Sequence, residues 1–130
     1  MPDTDWNEKA DYLMRTRSLY LNDDYLGFLI RKVWKLDSRI DVIDFGCGFG
    51  YMGLKLLPLL HEGSTYTGLD VATSLLERGR DAFAGTKYRT RFIETDVTVA
   101  DLPTGTHDVA VCHALLLHIT DPVSVIRRMK

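Results

Sequence analysis

Val42-Ile43-Asp44-Phe45-Gly46-Cys47-Gly48-Phe49-Gly50 is the stretch around which the chain is organised. Four residues with β-forming character, Val42 to Phe45, run straight into glycines at alternating positions. An apolar helical pattern follows at once, from Tyr51 to Leu60. A buried strand that turns sharply into a helix through glycines gathers backbone N–H groups and a helix N-terminus at one point. Such a point suits a ligand that needs close approach to the backbone. The unusual member is Asp44, an acid at the end of the strand just ahead of the glycines.

Upstream, a helix around Lys9 to Tyr20 is weakly patterned. Asn22, with Asp23 and Asp24 behind it, reads as an N-cap followed by a first turn of acids. Tyr25, Leu26, Phe28, Leu29, Val33 and Trp34 then fall on one helical face that ends near Lys35. The first strand covers Ile40 to Phe45, and Pro58 kinks the helix after the glycines or marks its last turn. Beyond the turn at Glu62-Gly63-Ser64, Tyr66 to Leu69 forms a second strand ending in Asp70. Thr73 or Ser74 caps a helix to about Ala84, with Leu75, Leu76, Ala82 and Phe83 buried and Gly85 as its stop. Tyr88 to Glu94 alternates as a third strand, followed by Asp96, and Asp101 to His107, with Pro103 and Gly105, is loop. Asp108 to His113 is a near-continuous apolar run, as expected for a strand covered on both faces. Asp121 and Pro122 open a last helix with Val123, Ile126 and Met129 facing inward.

Strands alternating with helices predict an α/β fold, a parallel sheet with right-handed crossovers. Residues 1–38 are expected to form an N-terminal helical cover and residues 39–130 the sheet domain. Because the chain stops inside its last helix, the fourth strand is expected to be an open edge. A fragment, a truncated gene or a partner completing the sheet, such as a second copy, are the expectations that follow.

At 130 residues, with 45% hydrophobic and 26% charged residues, the chain is one ordinary globular domain long enough to bury a core. A net charge of −2 without a basic stripe disfavours a nucleic-acid partner. No apolar run reaches a membrane span, and the acidic start MPDTDW argues against a signal peptide. Cys47 and Cys112 lie far apart without metal-type spacing, so free thiols in a reducing cytoplasm, and no metal site, are expected.

Two ligands compete for the glycines. Gly48, Gly50 and Gly53 fit G-x-G-x-x-G, the dinucleotide fingerprint, which with Asp70 on a ribose describes an NAD-type oxidoreductase. There, however, the pyrophosphate rests on the glycine turn, and Asp44 beside it repels the phosphates. An acid at that place suits a ligand that brings an ammonium, a sulfonium or hydroxyls and no phosphate. S-adenosylmethionine has those features, and the overlapping G-x-G-x-G of Gly46 to Gly50 is then the better description. Asp70 is placed to accept both ribose hydroxyls and Asp96 the adenine amine, with Val71 and Val97 as apolar faces for the base. Each acid alone reads equally as a turn or cap residue; three of them at the ends of three consecutive strands define one crevice.

These residues resemble the class I S-adenosylmethionine-dependent methyltransferases over about residues 41–130. The four motifs are VIDFGCGFG, YTGLDVA, FIETDV and HDVAVCHALLLHITDP. The last of them looks like the small-molecule branch of that class. The resemblance implies a Rossmann-like sheet of strand order 3-2-1-4, with helices on both faces. Asp44, Gly46, Cys47 and Gly48 would then hold the methionine part of the cofactor, Asp70 the ribose, and Asp96 with Val97 the adenine. The backbone around Cys112 and His113 would receive the amino group. The N-terminal segment with Tyr12, Arg17 and Tyr20 resembles the cover that closes over cofactor and substrate. Members continue through three further strands that this chain lacks, so a cofactor-binding module without catalysis stays open beside the enzyme. His113 and His118 are the candidates for a general base, and each reads equally as a structural residue.

Overall fold

The computed structural model describes residues 5–6, 8–102 and 105–130, without the side chains of residues 10, 17, 18 and 20. The expectation of loop at Pro103 lies outside the described residues. Four strands form one sheet: β1 Asp41–Phe45, β2 Thr65–Asp70, β3 Arg89–Glu94 and β4 Val109–Val111. Their order is β3-β2-β1-β4, every pair is parallel, and register places Asp44 beside Gly68 and Val111. The predicted order 3-2-1-4 is the observed one. The chain leaves β1 toward β2 on one side and comes back to β4 on the other. The C-terminal end of β1 is therefore the topological switch point, where open α/β sheets bind ligands.

Five α-helices surround the sheet: α1 Ala10–Tyr20, α2 Asp23–Phe28, α3 Tyr51–Leu56, α4 Thr73–Phe83 and α5 Pro122–Arg128. Alternation along β1 sends Val42 to one face and Ile43 and Phe45 to the other. Val42 joins Leu26, Ile30, Leu56, Leu57, Tyr66, Phe83 and Phe92 in a core beneath α2, α3 and α4. Phe45 joins Leu69, Val97 and Val125 in a second core beneath α5. A third, smaller core joins Leu13 of α1 to Phe49, Ala72 and Leu75, so α1 lies over the glycine turn and the start of α4. Burying each of these large apolar side chains contributes about 1.5–3 kcal/mol.

Several helix phases differ from the sequence expectation, each for a local reason. Asn22 caps α2 as expected, its side chain accepting from the Tyr25 amide at 2.9 Å. After Phe28, however, the helix widens into a π-turn over Leu29–Val33, with the Trp34 amide donating to the Leu29 carbonyl at 2.7 Å. Leu26 and Ile30 are the residues buried, while Tyr25, Phe28, Val33 and Trp34 stay exposed. Helix α3 ends in a 3₁₀ turn, Leu57–Leu59, with Pro58 in it, so Pro58 marks the last turn. Neither Thr73 nor Ser74 holds the cap of α4. Ala72 does, its amide taken by the Asp70 carboxylate at 2.9 Å. Ala82 is exposed, and Gly79 takes the inward position against Phe92.

Strand β4 is shorter than expected and half-buried throughout: it is the sheet's edge, with Val109 and Val111 against the first core and Ala110 against the second. In α5, Asp121 caps the helix and Pro122 opens it. That start turns Val125 fully inward at 0% exposure and leaves Val123 and Ile126 exposed, with Met129 half-buried. Among the described residues no helix is long and apolar enough to cross a membrane.

Candidate functional site

The glycine turn is stitched to the end of β2. The Gly46 and Cys47 amides both donate to the Leu69 carbonyl, at 2.8 and 2.9 Å, and the Gly48 amide donates to Asp70 Oδ2 at 2.8 Å. The Gly50 amide closes the turn on the Cys47 carbonyl at 2.9 Å. The expectation of amides gathered toward a ligand is thus corrected: four of them serve the fold. What the turn presents instead is a bare backbone at Gly48. Its φ of +57° is left-handed, and a Cβ built there meets nothing within 4 Å, so the residue opens onto free space.

That space is a cavity of about 400 Å³ over the C-terminal ends of β1, β2 and β4. Its wall brings together Asp44, Gly46, Cys47, Gly48, Asp70, Val71, Asp96, Val97, His113 and His118, the residues singled out from the sequence. The volume lies in the range of small-molecule sites, about 300–1,000 Å³.

The acids are held in different ways. Asp44 is buried, 2% exposed, and its Oδ2 accepts the Tyr66 hydroxyl at 2.5 Å. Asp70 is half-buried and bridges two backbone segments, Oδ2 on the Gly48 amide and Oδ1 on the Ala72 amide. Each carboxylate oxygen has a second lone pair, so Asp70 can still accept hydroxyls from a ligand. Asp96 is exposed, and its Oδ1 accepts the Thr98 amide at 2.9 Å and the Thr98 hydroxyl at 2.6 Å, a turn that aims the acid at the rim. Val97 is buried and Val71 exposed on opposite sides of that rim.

Cys47 is a packing residue. Burial, with Asp44 and Asp70 adding negative charge, pushes its thiol far above the ordinary range, which leaves no thiolate for chemistry. Burial likewise raises the Cys112 thiol, and both cysteines are free, as expected. Past β4, Ala114 takes a left-handed φ of 61° and Leu115 packs on Gly46, whose Cβ would stand 2.8 Å from it. His118 closes a 3₁₀ turn and meets Trp6 edge-on, with ring centroids 4.5 Å apart and planes at 70°.

The methyltransferase domain family matches residues 42–130 of the chain, which carry the sheet from Val42 on and the crevice lining apart from Trp6 and Leu13. The chain belongs to that family. A ubiquinone biosynthesis O-methyltransferase of Vibrio parahaemolyticus is 37% identical over 108 residues, 82% of this chain and 44% of that protein. The chain therefore spans less than half the length of that relative. Among solved structures, a SAM-dependent methyltransferase from Aquifex aeolicus superposes with a TM-score of 0.76 at 17% identity, over 95% of this chain and 65% of its own. The N-terminal domain of EvdMO1, solved with SAH bound, gives 0.69 at 19%, over 83% of this chain and 44% of its own. Both share the fold.

Tyr51, Met52, Leu75 and Leu115 of the methyltransferase domain, with Trp6 and Leu13 ahead of it, also line the crevice and were not singled out as site residues from the sequence. Of the N-terminal residues singled out, Tyr12 faces solvent at 54% exposure, and the side chains of Arg17 and Tyr20 lie outside the described residues. Among the described side chains of α1, Leu13, 7% exposed, is the one that turns inward. No motif marks Trp6 or Leu13; the only signal was an aromatic residue in an otherwise polar N-terminal stretch.

Proposed function

We propose that this chain is the cofactor-binding part of a cytoplasmic S-adenosylmethionine-dependent methyltransferase acting on a small-molecule acceptor. One observation carries the choice of cofactor: the glycine turn keeps its Gly46, Cys47 and Gly48 amides for β2 and sets Asp44 and Asp70 beside them. A pyrophosphate needs free amides and no adjacent acid. An ammonium, a sulfonium and ribose hydroxyls need acids and close backbone approach, and Gly48 leaves that approach open. The residues fit the second set and disfavour NAD.

In this reading Asp44 and the bare backbone at Gly46 to Gly48 hold the methionine part, with the backbone at Cys112 and His113 receiving its amino group. Asp70 accepts the ribose hydroxyls, and Asp96, Val71 and Val97 frame the adenine. Bound there, the cofactor supplies a methyl group on a sulfonium carbon for in-line displacement, which depends on positioning and on exclusion of water. Residues 1–38 act as the cover and residues 39–130 as the cofactor domain, Trp6 and Leu13 shielding the mouth. By likeness to the O-methyltransferase relatives the acceptor atom is an oxygen, and His113 or His118 removes its proton.

Calorimetry with S-adenosylmethionine and with NAD tests the cofactor, and binding of NAD alone would sink the reading. A second reading gives the crevice to the cofactor alone, as a binding module without catalysis. Transfer of labelled methyl to phenolic acceptors separates the two. The uncovered edge of β4 supports pairing with a second copy, for which sedimentation should give a mass of two chains.

A further inference from the structure

Tyr66 stands on β2 opposite Val42, and alternation puts its side chain on the same face as Asp44, one step further along β1. The ring is 1% exposed and its plane is set by three neighbours. Phe83 stacks on it at 6.1 Å and 24°, and Phe92 tilts against it at 6.0 Å. On its remaining side, α3 comes so close that a Cβ on Gly53 would stand 2.8 Å from the ring carbons. A ring so enclosed has one place for its hydroxyl, and that place is on Asp44 Oδ2, at 2.5 Å.

The proton of this hydrogen bond belongs to the phenol. Burial, and then the charge of Asp44, push the Tyr66 hydroxyl well above its ordinary value, so toward Asp44 it is a donor throughout the working range. Tyr66 does not line the cavity, whereas Asp44 does. Whatever Tyr66 contributes to binding therefore passes through the carboxylate. A short donor on one oxygen stops the carboxyl group from rotating and directs the rest of its acceptor capacity toward the crevice.

We propose that Tyr66 is a positioning residue whose hydroxyl sets the Asp44 carboxylate to meet the cationic end of the ligand. The assignment rests on the cofactor reading given above. It concerns the amino-acid half of the ligand only, because Asp70 and Asp96 serve the nucleoside half from other strands.

The test is calorimetry on the whole chain with two ligands. S-adenosylhomocysteine carries the ammonium, and 5′-methylthioadenosine carries the same nucleoside and sulfur without it. Tyr66→Phe keeps the ring that fills the core, so the fold persists, which far-ultraviolet circular dichroism confirms. It should weaken S-adenosylhomocysteine about tenfold, the loss of one hydrogen bond to a charged group, and leave 5′-methylthioadenosine within about twofold. Asp44→Asn combined with Tyr66→Phe should bind no more weakly than Asp44→Asn alone, because Tyr66 acts on binding only through the carboxylate charge that the first change has already removed. Equal loss for both ligands, no loss for either, or additive losses in the double variant would each overturn the assignment. If the unaltered chain binds neither ligand, the cofactor reading itself fails; with that binding intact, the other outcomes concern Tyr66 alone.

Discussion

Gly48 and Asp70 are one unit, since the amide of the first sits on the carboxylate of the second. Gly48→Ala places a methyl group in the open crevice and forces a left-handed backbone on alanine, at a cost of about 1 kcal/mol in stability. Its larger effect should be on S-adenosylmethionine binding, lowered at least about tenfold, beside a fall in the urea midpoint of about 0.3–1 M. Asp70→Ala should behave differently. It leaves the Gly48 and Ala72 amides without their acceptor as well as removing the acceptor proposed for the ribose, so binding and stability should each fall by about 1–3 kcal/mol. Parallel titration and denaturation of the two variants read this contrast, and an Asp70→Ala chain of unchanged stability would remove the structural half of its role. Asp44, Asp70 and Asp96 were legible in the sequence because each ends or follows a strand. That Asp70 braces the turn was not legible, since the Gly48 amide lies 22 residues earlier, in the turn after β1.

At the scale of elements, the strands and the glycine turn follow from composition and order, whereas helix phase does not. The last helix shows why. Val123, Val125 and Ile126 are equally apolar, and only the angle at which Pro122 enters selects Val125 as the one fully buried. Val125→Ala should therefore destabilise by about 1.5–2.5 kcal/mol through lost methyl burial and an incompletely filled space. Ile126→Ala should stay within about 0.5 kcal/mol, as surface changes do. Thermal melts of the pair test the assignment of phase. The α2 segment makes the same point: Leu26 is buried as its spacing predicts, but Ile30 takes the second inward place, in a π-turn over Leu29–Val33. Such a turn satisfies its own hydrogen bonds and leaves no signature in apolar spacing.

For the whole molecule, acid stability is tied to the base of the sheet opposite the crevice. Asp41 opens β1 and accepts the Thr65 hydroxyl at 2.6 Å, with Arg39 at 3.0 Å, and these partners hold its carboxyl below the usual value. A depressed folded pKa contributes stability that is present above the unfolded value, about 3.9, and is lost as pH falls through the folded one. The urea midpoint of the native chain should thus drop on going from pH 5 to pH 3 more than that of Asp41→Asn. Equal slopes would show that the strand-opening acid does not contribute.

The parallel α/β sheet could be read from the alternation of strands and helices, and the acids from their places at the strand ends, whereas the strand order 3-2-1-4 came from the resemblance to the class I methyltransferases. Which way each acid points, which amides remain for a ligand and which residues of α1 cover the crevice were decided by tertiary structure. Those properties depend on partners distant in sequence, such as Tyr66 for Asp44, Leu69 for the glycine amides and Phe49 for Leu13. The motif VIDFGCGFG set where the crevice opens; the packing of β2 behind it decided that acids and bare backbone face that crevice, with the amides turned to the fold.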